Sequence, residues 1–243
     1  MWCRTFYLCK IQPRFHHKDT TRLNFHSQIC LRVTIVLLLF GTLGFFLLEF
    51  GNTMEGLNIL EKLNCAFFQS TNTRTAGFAS VDIAAQYEFT KVLSVLLMFI
   101  GACPGSTGGG IKCARILILL RILRREVRRI AHPRCVEVIK MDGRVVESAT
   151  IRGTLVFLGC YMLILLAAGL IISLDGYSFS ISFSSALASL SNVGPGLELV
   201  GPTGNFSLLS PLSKVTMSLC MVTGRLEIFP ILVLFSRAVW RHT

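Results

Sequence analysis

Runs of apolar residues of two lengths alternate along the chain, and the short ones end in turns of small residues. Residues 31–50 form an apolar run with Arg32 at its start and Glu49 near its end. At ~1.5 Å per residue such a helix spans ~30 Å, one hydrocarbon core. Residues 58–70, NILEKLNCAFFQS, keep helical spacing but are only about half as long, and they run into TNTRTAGF. A second long run starts at residues 88–100, is interrupted by GACPGSTGGG at 101–110, and resumes at 111–123. The order then repeats. Residues 151–174 are long and apolar, the serine-rich 178–190 is short and leads into SNVGPG, and residues 212–240 are predicted as one last long helix.

The expected fold is therefore an all-α integral membrane protein made of two helix, pore-helix, helix repeats, with four spanning helices and two re-entrant segments. Its predicted divisions are a basic segment at 1–28, a pore repeat at 29–131 with a broken second helix, a connection at 132–149, and a second pore repeat at 150–243. Within the connection, Asp142-Gly143 between alternating residues signals a hairpin. That connection reads as solvated, with a docking surface for a soluble regulator as the lesser alternative.

Composition supports the membrane assignment. The 243 residues are 52% hydrophobic and 15% charged, with mean hydropathy +0.62, too apolar for a solvated domain. The net charge of +11 is carried beside the apolar runs, as cytoplasmic flanks carry it. Stacking aromatics are not interleaved with it, which argues against nucleic acid. Lys112, Arg115, Arg121, Arg124, Arg125, Arg128, Arg129 and Arg134 face the single acid Glu126, and Arg4, Lys10, Arg14, Lys18, Arg22 and Arg32 make the N-terminal flank basic too. Both flanks are inside only if an even number of spans separates them, so 58–70 should dip in and return, with both termini cytoplasmic. The nine cysteines include no C-x-x-C pair and read as reduced apolar fillers rather than a zinc site or a disulfide framework. His16 and His17 are adjacent, poor spacing for two ligands on one face. No metal-ligand cluster, nucleophile-base pair or phosphate loop points to an enzyme, and GGGIK lacks the ending of a Walker loop.

In a bilayer, non-helical backbone is tolerated where protein buries it or where it lines a watery path. A dehydrated cation needs its water shell replaced by oxygens, and backbone carbonyls supply them without fixed charge. Turning successive carbonyls one way takes a backbone that glycine permits. Gly77, preceded by Thr75 and Ala76, and Gly194, preceded by Asn192 and Val193, meet that need. The short helices would aim their partially negative C-terminal ends at the same place. Three successive glycines and a proline cost ~1 and ~3 kcal/mol each inside a helix, so the helix breaks at 101–110. Either this is a loop joining two spans outside the membrane, or it is a broken helix with a loop at membrane depth.

FQSTNTRTAGF, GACPGSTGGGIK, SNVGPG and GRLEIFP, in this order, resemble the Trk/Ktr/HKT superfamily of potassium transporters, the ion-translocating subunits of TrkH and KtrB type. The resemblance covers nearly all the chain after about residue 25. Family members place four such repeats around one pore, and this chain resembles the third and fourth. The resemblance implies that the carbonyls of Thr75, Ala76, Gly77, Asn192, Val193 and Gly194 line two quarters of a potassium filter. It implies that Gly105, Ser106, Thr107, Gly108, Gly109 and Gly110 form a gating loop beneath it, and that the substrate is potassium, without a cofactor or any metal site beyond the filter. It also implies a place in the cell inner membrane and a cytoplasmic nucleotide-binding regulatory subunit as partner.

Arg225 lies about 20 Å down the last helix, past the middle of the core, where a charge costs ~2.5 kcal/mol or more and marks a pathway or a partner. It is expected below the filter, hydrogen-bonded to carbonyls of the glycine loop as an electrostatic barrier. Glu227, two residues on, faces elsewhere on a helix and is no evident partner; Lys214 reads as an interfacial anchor or loop tether. Two quarters cannot encircle an ion, so the pore is expected to be completed by an N-terminal-half chain, by a second copy in a homo-oligomer, or by preceding residues of a longer parent. The basic opening residues do not resemble family sequence, which favours a fragment or truncated reading frame. The alternative is a non-conducting membrane protein or scaffold that recruits a cytoplasmic partner.

Overall fold

Long helices form where the chain holds apolar residues on every face, a pattern that suits lipid rather than water. The computed structural model describes residues 25–106, 108–132, 139–141, 144–228 and 230. Among the described residues, two uninterrupted helices are long and apolar enough to span a membrane: α1 (Phe25–Leu48) and, as the seventh element in order, α5 (Ser148–Ser173). Between them come α2 (Ile59–Asn72), α3 (Glu88–Ile100), α4 (Cys113–Ala131) and a ribbon of β1 (Lys140–Met141) and β2 (Arg144–Val145). After α5 follow α6 (Phe179–Leu190), two 3-10 turns and α7 (Pro211–Arg225). A spanning helix followed by a short one thus occurs twice, as α1-α2 and α5-α6, and the third member of each unit, α3 or α7, is only 13 or 15 residues long.

The short helices begin where local chemistry caps them. The Asn58 amide donates to Glu61 Oε2 (3.0 Å) ahead of α2, and Ser178 and Ser210 accept from the Ile181 and Ser213 amides ahead of α6 and α7. Pro211 at the first turn of α7 gives up no helical bond. Asp175 Oδ2 accepts the Ser210 amide at 3.0 Å, which fastens the end of α5 to the start of α7. Lys214 is the loop tether of the two readings: its Nζ donates to the Ser207 carbonyl at 2.9 Å.

Each short helix is held inside its repeat. Ser70 of α2 donates to the Leu38 carbonyl of α1 at 3.0 Å, across a contact so close that a Cβ on Gly41 would lie 2.3 Å from Ser70 Oγ. Helix α6 is buried along nearly its whole length between α5 and α7. Two of its hydroxyls are accommodated locally, Ser184 and Ser185 donating to the Ile181 carbonyl, while those of Ser182 and Ser189 are buried without a partner. The main apolar core, with Phe157, Tyr161, Leu165, Leu187 and Leu190, also takes in Met98 and Ile111 from either side of the α3–α4 break. The break is thereby packed into the second repeat. The outward faces of α1 and α5 leave Val36, Leu39, Leu43, Leu163 and Leu170 exposed, as lipid contact requires.

One sequence expectation changes. The last helix does not run unbroken from residue 212: α7 ends at Arg225, and Glu227 (φ 60°) and Ile228 (φ 55°) leave the helical region. Pro230 has no N–H to donate to the Leu226 carbonyl, so an unbroken helix could not be bonded through this stretch; residues 229 and 231–240 of that expected helix lie outside the described ones. Thus the last member of each repeat is broken, at 101–112 and again at 226–228. The hairpin is present as the register Lys140↔Val145 and Met141↔Arg144, while Asp142 and Gly143 at its turn lie outside the described residues. So do the basic residues before Phe25, His16 and His17, Arg134, and the basic C-terminal end.

Candidate ion pathway

Both short helices end in turns with the same backbone pattern. After α2, Thr75 has φ 80° and Gly77 φ 79°; after α6, Asn192 has φ 55° and Gly194 φ 110°. Ala76 and Val193, between them, stay on the ordinary side. Alternating φ sign lets successive carbonyls point the same way, the arrangement that cation filters use. For a β-branched residue such as Thr75 this region is an outlier, and strain of this kind persists where surrounding bonds hold it. Here the Ala76 amide donates to the Asn72 carbonyl (3.2 Å) and the Phe78 amide to Asn72 Oδ1. In the second turn the Val193 amide donates to the Ala188 carbonyl (2.9 Å), and Tyr161 Oη meets Ser191 Oγ at 2.8 Å. The two turns lie against one another: a Cβ on Gly77 would sit 2.5 Å from the Val193 carbonyl oxygen.

The loop between α3 and α4 closes on itself beneath them. The amides of Ile111, Lys112 and Cys113 donate to the carbonyls of Phe99, Ile100 and Ala102 at 3.2, 3.0 and 3.1 Å, so the chain leaves and re-enters at nearly one point. A Cβ on Gly108 would lie 2.5 Å from Thr75 Oγ1, and one on Gly109 2.5 Å from the Ser191 carbonyl oxygen. Glycine is needed there because the loop touches both turns. Gly110, at φ 79°, is packed against Gly101. Gly105 and Ser106 form the exposed apex of the loop, away from the turns, and Thr107 lies outside the described residues.

Side chains that sequence reasoning did not single out fasten this assembly. Arg74 Nε reaches the Gly101 carbonyl (3.4 Å) and its Nη1 the Thr34 carbonyl (3.5 Å), linking the first turn to the loop and to α1. Asn192 Nδ2 donates to the Met221 carbonyl at 3.2 Å, and a Cβ on Gly224 would lie 1.9 Å from the Leu190 carbonyl oxygen. Glu227 is a partner after all: its carboxylate pairs with Lys112, the residue at the loop's exit, and with Arg115 Nη2 at 2.8 Å. The Arg115 guanidinium also stacks over Phe157, 4.0 Å from the ring centroid. Arg225 itself ends α7 with an exposed side chain. The charge contact that joins the two breaks is made by Glu227, whose positive φ turns it off the helical path.

A model of the family described as "TrkH: Cation transport protein" matches residues 1–241. The chain belongs to the TrkH family. The match includes the basic opening residues, which corrects the expectation that they are foreign to family sequence. The "Trk system potassium uptake protein TrkH" of Salmonella typhimurium is 39% identical over 184 residues, 75% of this chain and 38% of that protein. The protein of the same name from Vibrio parahaemolyticus is 32% identical over 232 residues, 95% of this chain and 45% of that one. The crystal structure of the potassium transporter TrkH from Vibrio parahaemolyticus matches with a TM-score of 0.76 at 32% identity, covering 87% of this chain and 45% of that chain. This chain spans less than half the length of these relatives. Like them it is a membrane protein, and apart from the two-residue strands β1 and β2 its described elements are helical.

Proposed function

We propose that the chain works in potassium uptake across the cell inner membrane, as part of a Trk-type ion-translocating subunit. Its reaction is transport, with potassium as cargo and no cofactor. The carbonyls of Thr75, Ala76 and Gly77 and of Asn192, Val193 and Gly194 form two sides of a filter for the dehydrated ion. The loop at 105–110 closes the path beneath, and Arg225 adds a positive barrier there. Residues 29–131 and 150–243 are the two pore repeats, the third and fourth of the family's four, with 1–28 and 132–149 on the cytoplasmic side. The remaining sides come from a second copy or from an N-terminal-half chain. A nucleotide-binding subunit docks on the cytoplasmic face, with both termini on that side.

The observation that carries this reading is the shared backbone of the two turns, positive φ at the first and third residue of each. Two unrelated turns have no reason to share so costly a conformation. The test is rubidium uptake into liposomes containing the chain, with the partner half where one co-purifies. Uptake that sodium competes for poorly, and that Gly77→Ala abolishes while helix content is kept, supports the filter. Uptake unaltered by Gly77→Ala excludes it.

A further inference from the structure

Three thiols that are distant in sequence meet at the flank of the glycine loop. Cys30 lies on α1, Cys103 within the loop and Cys113 at the first position of α4, and their three sulfurs lie within 4.8 Å of one another. None of the three is in a disulfide, Cys113 is buried and the other two are half-buried. Cys113 Sγ is 3.6 Å from Cys103 Sγ, and Thr34 Oγ1 stands 3.1 Å from Cys103 Sγ. Thr34 offers its carbonyl to Arg74, so a guanidinium stands close to the same group. Apolar fillers would have no cause to converge sulfur to sulfur beside a hydroxyl and a cation.

The spacing fits a small ion. Three ligands held about 2.3 Å from a central metal in a plane lie about 4.0 Å apart, inside the 4.8 Å limit and near the 3.6 Å of the closest pair. Thiolate donors select soft cations. Three of them, without a fourth His, Cys, Asp or Glu in the group among the described residues, suit a three-coordinate d10 ion better than the closed four-ligand shell of structural zinc.

We propose that Cys30, Cys103 and Cys113 form a trigonal thiolate site for a soft d10 cation, copper(I) by preference, that fastens the glycine loop to α1. Each sulfur that coordinates releases its proton to solvent on binding, and the Arg74 guanidinium offsets part of the negative charge that develops. No electron is transferred. A disulfide would engage two of the sulfurs and leave the third, which distinguishes oxidation from metal capture. Cys103 belongs to the loop and Cys30 to a different helix, so occupancy links the one to the other. The binding itself is independent of the transport reading; only its effect on an ion path rests on that reading.

The test uses the full chain in lipid nanodiscs, kept reduced without oxygen by a phosphine, and titrated with copper(I) against a chromogenic copper(I) chelator. The expected result is one copper(I) per chain with three sulfur neighbours by X-ray absorption. Affinity should fall by at least ~100-fold in Cys103→Ser and in Cys30→Ser, since even the loss of outer-shell partners costs ~10–100-fold. Cys65→Ser, in the separate apolar cluster beside α2, should bind as the parent does. Two cluster variants on different elements keep the test valid where one of them folds poorly. Binding that survives both, no binding in competition with the chelator, or a Cys103–Cys113 disulfide formed in place of the complex would overturn the site. Hydrogen exchange at amides 105–110 should slow on loading, and unchanged exchange there would overturn the claim that the metal fastens the loop.

Discussion

Replacing Glu227 by glutamine removes an acid that joins the two helix breaks. In the folded chain its carboxylate faces Lys112 and Arg115, whose side chains are 6% and 19% exposed, while its own is 36% exposed. Losing one partner of a fully buried pair costs about 3–5 kcal/mol, whereas exposed pairs are worth about 0–1 kcal/mol. With two cations nearly out of water and an anion that is partly in it, the cost falls between these limits, about 2 kcal/mol. In a protein of this size about 1 kcal/mol moves the midpoint by about 2–4 °C, so Glu227→Gln should lower it by about 4–8 °C. The assay is thermal unfolding in one fixed detergent, followed by far-ultraviolet circular dichroism. Glu55→Gln, at an exposed position, serves as the control and should leave the midpoint unchanged. Glu227→Asp, which keeps the charge, should recover part of the loss. A Glu227→Gln midpoint indistinguishable from the parent would refute the view that this contact holds the loop's exit to the last helix.

Gly224→Ala would put a methyl 1.9 Å from the Leu190 carbonyl oxygen and 2.8 Å from Asn192 Nδ2; it should push α7 off the second turn, costing several degrees of thermal stability and reducing rubidium uptake. Arg225→Ala should raise rubidium uptake by removing the positive barrier, and an unchanged or lower flux in correctly inserted protein would count against that role. The amide and hydroxyl of Ser210 hold the Asp175 carboxyl below the usual carboxylate value. Because the folded value is the lower one, the stabilisation is present above the ordinary carboxylate pKa and is lost as pH falls through the folded value. Stability measured down through the acid range should therefore decline in the parent and decline less in Asp175→Asn.

Local signals made the two turns and the glycine loop legible from sequence. Gly77, Gly109 and Gly110 mark positions where a side chain would collide with backbone, Gly108 one where it would collide with Thr75 and Ala102, and Gly194 one whose φ of 110° favours glycine, while the short apolar segments before the turns could not cross a bilayer. The second helix break was not legible in the same way. Gly224 and Pro230 sit in an apolar stretch long enough to read as one helix, and only the observed φ of Glu227 and Ile228 shows that the helical path stops. That break also explains why the sequence does not show Glu227 as a partner: helical geometry places it on the wrong face, and the residue, at φ 60°, is not helical. Its cations lie 115 and 112 residues away in sequence, and no pattern at that distance announces an ion pair. The thiol cluster was hidden for the same reason, with Cys30 and Cys103 73 residues apart and no metal-ligand spacing between them. Arg74 reads as a polar turn residue until the fold puts Gly101 and Thr34 beside it.

The central claim is that the main chain at 75–77 and 192–194 offers its oxygens to a dehydrated cation. Anomalous diffraction from crystals grown in rubidium, of the chain together with whatever completes its pore, tests it most directly. The account predicts a rubidium peak coordinated by carbonyl oxygens of both turns. Rubidium bound only elsewhere, with those carbonyls turned into the protein, would contradict it.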